Sequence, residues 1–115
     1  MGTGERGLTY ACPDVTLGAA VSRLVADVAG GRDVQLAWRD TEAYLVVDGQ
    51  RVASAWAEGD RREAAAYIGT VFRDVLGPDL PPCPGHEHPA TLRTMPEGVG
   101  WHCPDSGALL RAYRL

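Results

Sequence analysis

Val34-Gln35-Leu36-Ala37-Trp38-Arg39-Asp40-Thr41-Glu42-Ala43-Tyr44-Leu45-Val46-Val47-Asp48-Gly49-Gln50-Arg51-Val52-Ala53-Ser54-Ala55-Trp56 is the stretch that decides the fold. Val34, Leu36 and Trp38 alternate with Gln35, Ala37 and Arg39, the two-residue period of a strand with one face buried. Asp40-Thr41 is a tight connection to a second strand from Glu42 to Val47. Asp48-Gly49 then separates Leu45-Val46-Val47 from Val52-Ala53-Ser54-Ala55-Trp56. An Asp-Gly pair between β-prone runs marks a hairpin, because a two-residue turn needs positive φ and glycine adopts it without strain. The segment reads as a three-stranded antiparallel meander.

A helix is expected on each side of it. Leu17, Val21, Leu24, Val25 and Val28 recur at the spacings of an amphipathic helix, with Asp14 placed to cap the start and Gly30-Gly31 to end it. After the meander, Asp60 and Glu63 stand as a capping box. Ala64, Tyr67, Ile68, Val71, Phe72, Val75 and Leu76 follow at intervals of three and four, and Gly77-Pro78 closes the helix. The order α-β-β-β-α predicts an α+β domain over 14–80, with both helices packed on the meander. Residues 1–13 are a loose lead-in in which 7–11 has the character of a short strand.

Leu80-Pro81-Pro82 breaks the pattern, since tandem prolines continue neither a helix nor a ladder. The segment 81–115 beyond it holds three short runs of strand character, Thr91 to Met95, Val99 to Cys103 and Ala108 to Leu115, joined over Pro96-Glu97-Gly98 and Pro104-Asp105-Ser106-Gly107. The first two form a β-hairpin.

That tail also carries all three histidines and two of the three cysteines. Cys83-Pro84-Gly85-His86 has the spacing of a metal knuckle, in which a tight turn aims both side chains at one ion. His88 follows His86 by two residues, so an extended backbone places both rings on one side. Cys103 returns from the far side of the hairpin. Cys83, His86, His88 and Cys103 are therefore the expected ligands of a closed tetrahedral site, and thiolate with imidazole selects zinc. His102 competes for the fourth place, but neighbours in a strand face opposite ways, so Cys103 and His102 do not readily share an ion. Trp101 is on the Cys103 face and is expected to shield the metal. A Cys83–Cys103 disulfide or plain burial of the thiols are the alternatives.

The tail pattern Cys83-Pro84-Gly85-His86-Glu87-His88-Pro89 with Trp101-His102-Cys103-Pro104 resembles that of small uncharacterised actinobacterial proteins with a Cys-Pro-x-His-x-His-Pro…Trp-x-Cys-Pro signature. The resemblance implies a recurrent structural unit and no reaction. Residues 14–77 resemble the double-stranded-RNA-binding domain in element order and in Gly59-Asp60-Arg61-Arg62-Glu63-Ala64-Ala65-Ala66, which implies phosphate contacts from Arg61 and Arg62. Asp60 and Glu63 flank those arginines, and the family's histidine-bearing loop is missing.

Composition sets the remaining bounds. The chain is 115 residues long, 45% apolar and 23% charged, values of an ordinary soluble domain. All eleven basic residues are arginine, and there is no lysine or asparagine, the mark of a GC-rich genome. A formal charge of −4 disfavours nucleic acid and anionic lipid as partners. No apolar run has the length of a membrane span and the start lacks a signal-peptide layout, so a cytoplasmic location is expected. The expected function is a non-enzymatic binding or adaptor protein with structural zinc, acting through a protein partner or self-association. The alternatives are a metal-dependent enzyme with an open zinc position, Glu87 being a candidate base, and a nucleic-acid-binding protein using Arg61 and Arg62.

Overall fold

A computed structural model describes residues 8–77, 83, 85 and 88–115. The meander forms as its pattern predicts: β1 (Val34–Arg39), β2 (Glu42–Val47) and β3 (Gln50–Trp56) are antiparallel in the order β1-β2-β3. Asp48 and Gly49 both take positive φ, 51° and 80°, the requirement of the two-residue hairpin turn. Of the strand expected over 7–11, the described residues 8–11 form one bridge, in which Thr9 exchanges backbone hydrogen bonds with Trp38 at 2.9 and 2.6 Å.

Both helices start where their caps place them. Asp14 accepts from the Leu17 amide at 3.1 Å ahead of α1 (Val15–Asp27), and Asp60 and Glu63 complete the capping box of α2 (Arg61–Leu76). Gly77 ends α2 in an extended conformation, φ −175°, rather than a left-handed one. The residue before a proline is pushed out of the helical region, and that is sufficient to stop the helix.

The tail folds into a second antiparallel sheet, β4 (Thr91–Met95), β5 (Gly98–His102) and β6 (Leu109–Arg114), in the order β4-β5-β6. The described residues thus form an α+β fold of two helices and two three-stranded sheets. The helices do more than cover the meander. Besides packing on each other, α1 touches β1 and β6, while α2 touches β3 on one side and β4 and β5 on another. Buried residues of α2 run from Ala64 round to Arg73, about half the circumference at 3.6 residues per turn. One apolar cluster extends from Leu36 and Trp38 through Leu24, Ile68 and Phe72 to Leu92, Val99 and Trp101. The meander and the tail sheet therefore share a single core, although the proline pair lies between them in the chain.

Gly69 marks a close approach of the layers. A Cβ built there would lie 2.5 Å from Leu92 Cδ2 and 2.6 Å from Leu24 Cδ1, inside contact distance of both α1 and β4. Polar ties reinforce the junction. Buried Arg73 donates to the Ala90 carbonyl at 2.8 Å and lies 5.3 Å over the Trp101 ring. Trp101 Nε1 donates to the Tyr113 hydroxyl at 3.2 Å, and that hydroxyl donates to Asp27 at 2.5 Å. Burial, together with the Asp27 hydrogen bond and charge, holds the Tyr113 pKa far above that of a free phenol, so the hydroxyl remains a donor.

A shared core makes a specific demand on the tail. Leu92→Ala should cost about 2 to 4 kcal/mol, as buried leucine truncations do, and should lower a single thermal transition. Hydrogen exchange at the amides of Leu45 and Val99 checks it: both should lose protection together, whereas an unchanged Leu45 amide would mean that the sheets unfold separately.

Candidate metal centre

Each ligand is presented by a turn at an end of the tail sheet. On one side the Cys83 amide donates to the His88 carbonyl at 3.2 Å, closing a loop in which Gly85 takes φ 76°. Pro89 and Ala90 lead from it into β4. On the other side Cys103 leaves β5 into a turn held by Gly107 N to the Cys103 carbonyl, 2.8 Å, and Cys103 N to the Ala108 carbonyl, 2.9 Å. Within that turn the Ser106 amide points at Cys103 Sγ at 3.5 Å. An N–H aimed at sulfur favours the thiolate, the form that binds metal.

Because β4 and β5 are paired from Thr91↔His102 to Met95↔Gly98, the residues just before β4 and just after β5 meet at the same end of the sheet. Ligand atoms of Cys83, His88 and Cys103 consequently lie within 4.8 Å of one another. Both cysteines are buried and His88 is half-buried. Three groups this close, two thiols and an imidazole, can hold a metal ion. The fourth expected ligand, His86, and the candidate base Glu87 lie outside the described residues.

His102 is not in the group; its Nδ1 is 2.9 Å from the Gly100 carbonyl of its own strand. Trp101 is buried, packed against Arg73 and bonded to Tyr113. Cys12 is buried at the other end of the fold, against Gly18 at the start of α1. Arg61 pairs with Asp14 at 2.8 Å; Arg62 reaches Asp60 at 3.3 Å and the Met95 carbonyl at 3.1 Å. Among the described cysteines there is no disulfide.

Asp105 is the neighbour that reading the pattern overlooked. Its Oδ2 is 3.0 Å from His88 Nε2. Burial pulls the His88 pKa down, but the Asp105 hydrogen bond, the Pro89 carbonyl and the Asp105 charge outweigh it, so the net shift is upward. The signal was available in Cys103-Pro104-Asp105-Ser106-Gly107, an acid in the same tight turn as a ligand.

No known protein family matches the chain by its family model, and neither the curated proteins nor the solved structures include a match. The centre is therefore read from its own chemistry.

Burial pushes the Cys83 pKa up, and the adjacent Cys103 thiol adds to it. Metal must displace that proton, so binding weakens as pH falls, by about tenfold per unit for each thiol proton released. Zinc titrations between pH 6 and 8 should show this slope. Cys83→Ser and Cys103→Ser should each reduce affinity at least about a hundredfold by removing a soft donor, while Cys12→Ser leaves it unchanged.

Proposed function

We propose that this chain is a cytoplasmic, non-enzymatic binding or adaptor protein whose tail is locked by one structural zinc ion. The convergence of Cys83, His88 and Cys103 carries the reading. Two thiolates and an imidazole suit zinc, which prefers tetrahedral S/N coordination and brings no redox chemistry. His86, at knuckle spacing from Cys83, supplies the fourth ligand.

A structural role fits the position of the site. It staples the loop before β4 to the turn after β5, and those strands belong to the tail surface that packs on α2. Because the site forms only on folding, metal-binding energy becomes folding energy.

Two features bear on the choice between a protein partner or self-association and nucleic acid. Tyr67 and Val75 are exposed on α2, with partly buried Val71 midway between them at four-residue spacing. Arg61 and Arg62 are engaged by Asp14, Asp60 and backbone carbonyls, which leaves nucleic acid the weaker reading. The tail signature and the arginine-only basic set fit an actinobacterial source.

Elemental analysis of purified protein should find one zinc per chain, and chelation should lower the melting temperature and strip amide protection from the tail sheet. Cobalt substitution should give the intense spectrum of a tetrahedral site with four protein ligands. A metal-free protein with unchanged melting would overturn the proposal. A weak, water-exchanging cobalt spectrum would point to an enzyme with an open position instead.

A further inference from the structure

We infer that Asp105 is a positioning residue of the metal centre: it takes the hydrogen bond of His88 Nε2–H, fixes that tautomer, and so presents Nδ1 to the ion. This rests on the metal reading above and adds to it a residue outside the ligand set.

The geometry supports it in three ways. His88 Nε2 and Asp105 Oδ2 are 3.0 Å apart, an ordinary hydrogen-bond distance, whereas Nδ1 lies 3.4 Å from the Pro89 carbonyl, a longer contact that a bound metal ion replaces. Asp105 does not belong to the group whose ligand atoms lie within 4.8 Å of one another, so the carboxylate stands outside the cluster it touches. It also comes from the Cys103 turn, braced by Gly107 N to the Cys103 carbonyl and Ala108 N to Ser106 Oγ at 3.2 Å. The same turn therefore delivers one ligand directly and orients another, across from the loop that carries His88.

The chemistry calls for such a group. A neutral imidazole carries one proton, and the nitrogen that keeps it cannot bind metal. Left to itself the ring exchanges tautomers and rotates; a carboxylate on one nitrogen stops both and makes the other more basic. With two thiolates already on the ion, a more electron-rich imidazole strengthens the weakest protein–metal bond of the described set. Asp105 is exposed, so removing it leaves no cavity and no buried unpaired group.

The test uses the full chain, reduced and stripped of metal, with zinc alone as the probe in competition with a chromophoric chelator. Asp105→Ala should weaken zinc about 10- to 100-fold, and Asp105→Asn, which keeps the shape without the charge, by less. Both should melt as the parent does in the metal-free state. Cobalt-loaded Asp105→Ala should retain the thiolate charge-transfer band, because both cysteines remain. In the cadmium-loaded parent, nitrogen–cadmium coupling should appear at His88 Nδ1, with the proton on Nε2, a signature that a purely structural turn residue would not produce. Zinc affinity within twofold of the parent in Asp105→Ala, or cadmium coupling at Nε2, would overturn the inference while the site itself stands. A parent chain that binds no metal would remove both.

Discussion

The missing side chain at Gly69 sets how close the layers of this protein can come. With only a hydrogen there, Leu24 of α1 and Leu92 of β4 reach the same point on α2, so a helix and the tail sheet close on it together. Glycine inside a helix costs about 1 kcal/mol relative to alanine, so its presence mid-helix is offset by what the close approach allows. Interiors pack at crystal-like density, and a gap of one methyl group between α2 and β4 would forfeit contacts along the whole interface. The bond from Arg73 to the Ala90 carbonyl crosses the same interface one turn along α2.

The elements were legible in the sequence because each is written in a local period. Alternation gave β1, the Asp48-Gly49 pair gave the next turn, and Asp60 with Glu63 gave the start of α2; all three follow from chemistry within a few residues. The relation between the two sheets was not legible. An apolar stripe says that a helix face is buried, but not against how many partners, and Arg73 and Gly69 carry no mark of the tail they contact. The expected boundary at Pro81-Pro82 reflects this, since prolines announce a break in the ladder while saying nothing of the core on either side.

The metal centre divides in the same manner. Spacing singled out Cys83, His86, His88 and Cys103, of which Cys83, His88 and Cys103 converge among the described residues, while the His102 ring has its Nδ1 on the Gly100 carbonyl. Asp105 escaped because its role depends on the turn after β5 curling back over the loop before β4. That proximity comes from the antiparallel register of two strands. Ligands are chosen by element type, which sequence displays; the groups that orient them are chosen by distance, which it does not.

The tie between α1 and β6 has a consequence for how the chain is made. Asp27 meets the Tyr113 hydroxyl across 86 residues, and Arg73 meets the Ala90 carbonyl across 17. At the pace of a ribosome, about 5 to 20 residues per second, Asp27 waits roughly 4 to 17 s for its partner. During that interval Leu92, the Ala90 carbonyl and the Tyr113 hydroxyl are not yet in place against Gly69, Arg73 and Asp27. The surface of α2 that holds the tail, and the Asp27 carboxylate beside it, therefore wait for their cover until the segment 90–113 has been made and has left the ribosome.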